Sequence, residues 1–225
     1  CIRDRNHEDD GGFDYLNLHW YYIYQVNSRA LEEASQRDMG VFIISPTDKG
    51  GMLQEPPDQF RQLCSPLKPM VFNDTCCLVR PEVHTISIGA ERPSDFAVHI
   101  EALAHLGSEE MLARIDRQCC EAMAGKTGFP RPEALWPLLP SWERTPGLIN
   151  IPFILWLYNL VRGWGMLTYS RRRYSRLGRD VKWVPGNNGA AAGNYDLRNI
   201  AEDAGMANDE LVALLEDAHR VLGGQ

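Results

Sequence analysis

The residues best suited to chemistry lie in VFIISPTDKGG, positions 41–51. Four apolar, mostly β-branched residues run into Ser45-Pro46, a polar turn carries Lys49, and Gly50-Gly51 follows. Neither glycine has a Cβ, so the backbone can approach a ligand closely. Lys49 supplies a point charge, and the Ser45 hydroxyl with neighbouring backbone N–H groups can donate to phosphate oxygens. The same residues also suit a solvated strand–loop turn in which glycine only relieves strain. HTISIGAERPSDF, positions 84–96, repeats the theme with a glycine at a strand end, Arg92, and Pro93 opening a helix. A helix N-terminus presents unsatisfied N–H groups and the positive end of a dipole. Arg92 can clamp a phosphate through two parallel bonds, as lysine cannot. Two neighbouring strand ends of this kind suit a ligand with several phosphates; the plainer alternative for Arg92 is a surface residue ahead of a helix.

The surrounding elements must hold these turns side by side. FDYLNLHW (13–20) alternates apolar and polar residues and predicts a strand. Asn27-Ser28 offers a cap for a helix over RALEEASQRD, which Met39-Gly40 ends. VFIIS (41–45) is a continuous apolar run, the pattern of a strand buried on both faces, and HTISIGA (84–90) reads as a second buried strand. Between them a helix is expected over 69–79, and after Pro93 another, with Phe96, Ile100 and Leu103 on one face. Strand and helix alternate three times, which argues for an α/β fold of parallel strands with right-handed helical crossovers. A doubly wound sheet and a (β/α)8 barrel both satisfy that order.

Beyond Leu106 the character changes. A helix over 108–124 is followed by a Pro- and Trp-rich stretch without period, then by INIPFILWLYNLVRGW, with Ile151, Ile154, Leu155, Tyr158 and Val161 on one face. A basic run, TYSRRRYSRLGR, a Gly/Asn/Ala-rich loop, and the amphipathic DELVALLEDAHRVL complete the chain. The expected organisation is a polar tail over 1–12, a βα part over 13–107 and an all-helical extension over 108–225. The tail, CIRDRNHEDDGG, lacks periodicity, and the chain reads as the later part of something longer.

Composition sets bounds. With 225 residues, 44% hydrophobic, 24% charged and a net charge of −7, the chain is a globular protein with no general affinity for nucleic acid. Its six cysteines include two adjacent pairs and no C-x-x-C spacing, which favours reduced buried thiols and a cytoplasmic protein without a secretory leader. The apolar run after Asn150 is too short and too interrupted, by Asn159 and Arg162, for membrane insertion, and reads as a buried helix. The six histidines show no metal-ligand spacing. His19, at a strand end, suits a packing or substrate-lining role; His84, His99, His105 and His219 read as structural or surface residues. The SRRRYSRLGR run suits a solvated face or an anionic partner.

DMGVFIISPTDKGG, PEVHTISIGAERPSDF and INIPFILWLYNL together resemble the carboxyl-terminal half of aldo/keto reductases, in the subgroup whose barrel precedes a helical, ferredoxin-like extension. The resemblance covers nearly everything from Phe13 onward. It implies the C-terminal portion of a (β/α)8 TIM barrel, with 13–20, 41–45 and 84–88 as its sixth, seventh and eighth strands, followed by an all-helical extension. It also implies NADP(H) as cofactor. Ser45, Thr47, Lys49 and Gly51 would then face the pyrophosphate, Gly89, Ala90 and Arg92 the adenosine 2′-phosphate, Asp95 the adenine, and Asn17 the nicotinamide carboxamide.

Three departures qualify that picture. Ile44 stands where the family often has a tyrosine stacked on the nicotinamide. The catalytic Asp, Tyr, Lys and His belong to the missing N-terminal half of the barrel, so no catalytic residue is assigned here. SWERTPGLINIP has no cysteine where the extension would carry four cluster ligands, so no iron–sulfur cluster is expected. The resemblance implies an oxidoreductase that reduces a small carbonyl substrate by hydride transfer, with this fragment inactive alone. The alternative is a non-catalytic barrel remnant acting as an interaction module through its helical extension. A three-strand piece cannot close a barrel, and its open edges predict aggregation.

Overall fold

A computed structural model describes residues 13–47, 53–90, 92–179 and 184–224. The chain divides into two units, one reaching Pro56 and resuming over Arg61–Asp116, the other made of Pro57–Phe60 and Arg117–Gln225. The division thus falls nine residues beyond the boundary expected at 107, inside a helix, and Pro57–Phe60 joins the later unit.

The first unit is built on β1 (Tyr15–Leu18), β2 (Gly40–Ile44) and β3 (Thr85–Ser87). They form a sheet in the order β1-β2-β3, both pairings parallel, with Asn17 opposite Phe42 and Phe42 opposite Thr85. The parallel α/β arrangement expected from the alternation is therefore present. Among the described residues no fourth strand extends this sheet, and they form no closed barrel.

Successive strand residues point to opposite faces. Leu18, Val41 and Ile43 are buried, beneath α1 (Ser28–Gln36), which packs on β2 and contributes Leu31 and Ala34. Each of the Leu, Val and Ile side chains contributes about 1.5–3 kcal/mol by leaving water. The opposite face is exposed at Tyr15, Asn17, Phe42 and Ser87, and the Tyr15 and Phe42 rings meet at 5.3 Å. The expectation that 41–45 and 84–90 are buried on both faces is thus corrected. One face is covered by helices, and no described element covers the other. Asn27 does not cap α1 through its side chain, which instead donates to the His19 carbonyl at 2.8 Å.

α2 (Asp58–Cys64) and α3 (Pro69–Leu78) follow β2, and α3 packs on β3 and on α4 (Phe96–Leu103). Here the structure reverses a second expectation. Phe96, Ile100 and Leu103 are 46%, 65% and 54% exposed, and α4 buries His99 and Ala102 instead. The reason is the facing helix, which presents a buried carboxylate, Asp74, at the contact. A single polar partner there outweighs the apolar stripe in choosing the buried side.

The second unit forms around α6 (Ile151–Trp164), whose residues are buried around nearly its whole circumference except at Val161 and Arg162. A helix apolar all round belongs in a core. Its start is set by Asn150, whose side chain accepts from the Phe153 amide at 3.2 Å, and its end by left-handed Gly165. α7 (Leu167–Tyr174) and α9 (Asn208–Gly223) pack on it, α9 through Leu211, Leu215, Ala218 and Leu222. α5 (Glu109–Thr127) precedes it and α8 (Arg198–Asp203) leads into α9. From the early chain, Phe60 stacks on Trp164 at 5.3 Å and Gln59 donates to the Gly163 carbonyl at 2.8 Å. The Gly/Asn/Ala stretch expected as a loop contains a 3-10 helix, Gly189–Asn194, packed on α9. Its small residues permit that approach, since a Cβ on Gly189 would meet the Leu215 carbonyl oxygen at 3.1 Å.

Gly186 is a sharper case. Its φ of +83° is left-handed, and an added Cβ would meet the Leu148 carbonyl oxygen at 2.9 Å. Gly186→Ala combines that close contact with a conformation costing about 1–2 kcal/mol for an L residue. A urea midpoint lowered by at least 1.5 kcal/mol equivalent, roughly the backbone term alone, is the expected result; an unchanged midpoint would refute it.

Candidate functional site

The loop after β2 and the turn after β3 open onto one cavity of about 380 Å³. Leu53, Gln54 and Pro56 form one lip, and Arg92, Ser94 and Asp95 form the other. Arg61 and Lys68, from α2 and the start of α3, add two cations to its wall. The two lips meet because parallel neighbouring strands deliver their carboxyl ends to the same side of the sheet.

The electrostatics are mixed. The Arg92 side chain is 75% exposed and its Nη2 lies 3.2 Å from Asp95 Oδ1, while the other Asp95 oxygen accepts from the Arg92 amide at 3.0 Å. Asp95 therefore closes the first turn of the Pro93–Asp95 segment and occupies one edge of the guanidinium. Lys68 Nζ reaches Glu101 Oε2 at 2.6 Å, also in an exposed setting. An anionic ligand here competes with two carboxylates for two cations, so the cavity favours a ligand with a doubly charged group over a weak acid.

Of the residues proposed from sequence, Arg92 and Asp95 line this cavity. Lys49 and Gly51 fall outside the described residues. Asn17, Ser45, Thr47, Gly89 and Ala90 lie outside its lining: Asn17 stands on the open sheet face, and Gly89 and Ala90 are exposed at the strand end. Ser45 adopts a left-handed φ of +56°, and its amide donates to the Ser87 carbonyl at 3.2 Å. That amide joins the two strand ends. Thr47 is 3% exposed and its carbonyl accepts from the Leu53 amide at 3.3 Å, which closes the base of the loop.

Arg61 and Lys68 carried no signal in a reading based on strand ends. A further group was also passed over, although NDT interrupts an otherwise apolar helix, MVFNDTCC. Asn73, Asp74, Thr75 and His99 are all buried beside these turns. Burial, with Asp74 and Cys76 adding to it, pushes the Cys77 thiol well above its ordinary range, so it stays protonated and is no nucleophile. His19 places Nδ1 3.1 Å from the Ile44 carbonyl, and His84 Nδ1 accepts from the Val41 amide at 3.1 Å; both brace strands. In the second unit, Tyr174 accepts from the Gly189 amide at 3.1 Å and meets His219 at 2.7 Å; burial pushes its hydroxyl up to about 12, fitting an anchor for the 3-10 helix.

The five described cysteines are free, and no group of metal-ligating side chains gathers among the described residues. Among the same residues no helix is long and apolar enough to cross a membrane. No protein-family model, curated protein or solved structure matches the chain.

Proposed function

We propose that the chain is the coenzyme-gripping portion of an NADP(H)-dependent oxidoreductase of aldo/keto reductase type, acting on a small carbonyl substrate. The supporting observation is the single cavity shared by the loop after β2 and the turn after β3, with Arg61, Lys68 and Arg92 on its walls. Its volume lies at the low end for ligand sites. That suits the phosphorylated adenosine end of the coenzyme rather than the whole dinucleotide. Arg92 and Lys68 would hold the 2′-phosphate, and Leu53, Pro56 and Met70 offer apolar surface to the adenine. The coenzyme, when bound, supplies a hydride to the carbonyl carbon. This chain's part is to orient it and to exclude water from its phosphates. In this reading the barrel is completed by strands outside the chain, which accounts for the sheet face and edges left open among the described residues.

A second reading, a non-catalytic module interacting through its helical extension, draws on Leu138, Leu148 and Tyr195, which are exposed there. Titration of NADPH against NADH, followed by nicotinamide fluorescence, separates the two. The coenzyme reading expects saturable NADPH binding that Arg92→Ala weakens about tenfold, or ~1.4 kcal/mol, with little change for NADH. Absence of NADPH binding by the wild-type protein removes it.

A further inference from the structure

The geometry points to a buried relay, Asn73–Asp74–His99, that sets the two lips of the cavity in register. Asn73 is 3% exposed and makes three bonds. Its Oδ1 accepts from the Tyr22 amide at 3.1 Å, and its Nδ2 donates to the Pro46 carbonyl and to Asp74 Oδ1, both at 3.2 Å. The other Asp74 oxygen bonds His99 Nδ1, across the contact between α3 and α4. One end of this chain therefore holds the Ser45–Thr47 turn from which the first lip departs. The other end holds the helix that begins at the Arg92–Asp95 lip, one turn before His99.

Two features make this a positioning device rather than general packing. First, α4 is not seated by an apolar stripe, because Phe96, Ile100 and Leu103 face solvent and its buried side offers only His99 and Ala102. Within the buried contact its place on α3 rests on the Asp74–His99 bond and on Thr75, whose hydroxyl is 3.3 Å from the Ala102 carbonyl, with the exposed Lys68–Glu101 pair outside it. Second, the relay is a poor route to stability. Asp74 is fully buried, and His99 Nε2 is enclosed without a partner. Apolar residues of similar volume commonly serve stability as well or better at such a pair. Hydrogen bonds, unlike apolar contacts, fix direction, and direction is what two facing lips need.

The inference rests on the coenzyme reading for its ligand but not for its geometry. The test compares the wild-type chain with the double variant Asp74→Leu/His99→Leu, which removes both polar partners and leaves no buried charge. His99→Phe alone serves as the harsher single change. Amide exchange is followed residue by residue by NMR, with NADPH affinity measured in parallel. The relay predicts that the amides of Asp95, on the second lip, and of Ser45, in the turn from which the first lip departs, exchange at least tenfold faster in the double variant while the urea midpoint does not fall. NADPH affinity drops about tenfold. Faster exchange confined to α4, with Ser45 protected as in the wild type, overturns the relay. So does a lowered midpoint with exchange at both lips unchanged. Should the wild type bind no NADPH, the coenzyme reading fails and amide exchange alone decides the coupling.

Discussion

Replacing Trp156 by alanine lowers the free energy of unfolding by about 3–5 kcal/mol. Trp156 is 1% exposed in the middle of α6 and sits in an aromatic cluster, 5.4 Å from Phe153, 6.2 Å from Tyr169 and 6.5 Å from Trp136 by ring centroids. Truncation forfeits the burial of a large ring and leaves a cavity among Phe153, Tyr169 and Trp136 that relaxation fills only in part. The edge-to-face contacts with Tyr169 and Trp136 add about 0.5–1.5 kcal/mol each beyond area. Chemical denaturation of the whole chain measures the loss. Leu138→Ala, at a side chain 50% exposed, is the matched control and stays within about 0.5 kcal/mol of the wild type. Equal effects at the two positions would show that α6 is not the core of its unit.

The second large effect is a pH dependence. Glu133 precedes the Trp136–Leu138 turn, and its Oε2 is enclosed without a partner. Burial pushes its carboxyl from the ordinary 4.5 up to about 7, against the opposing pull of its own backbone amide and of Arg131. Between those values the folded protein binds a proton that the unfolded chain has released, so stability falls as pH rises. The contribution is complete below about 4.5 and lost above about 7, and a shift of that size amounts to roughly 3 kcal/mol at 1.36 kcal/mol per pH unit. Glu133→Gln keeps the shape and removes the titration. The variant should therefore be more stable than the wild type by about 2–3 kcal/mol at pH 8 and indistinguishable from it near pH 4.5. Urea midpoints across that range decide the matter; parallel profiles would mean that Glu133 is solvated.

The parallel sheet was legible because its signals are local. The alternating stretch at 13–20, the apolar run at 41–45 and the strand-like stretch at 84–90, separated by helix-forming stretches, leave little freedom in strand order, and β1, β2 and β3 follow from them. The number of buried faces was not legible. A run such as VFII reads as doubly buried, yet Phe42 is 38% exposed, because covering a face depends on neighbours that a local pattern does not contain. The buried side of α4 was hidden for a related reason. Periodicity assigns the core to Phe96, Ile100 and Leu103, but His99 has a partner only after α3 has brought Asp74 to it. Arg92 was found by its place after a strand and before a proline. Arg61 and Lys68 reach the same cavity from segments that carry no such punctuation.

Phe60 and Gln59 have a consequence for anyone who would dissect this gene. The path of the backbone leaves one unit, contributes four residues to the other, and returns. No single cut can yield both halves intact: wherever the scissors fall between Phe60 and Trp164, the downstream product has lost the ring that lies flat on its indole.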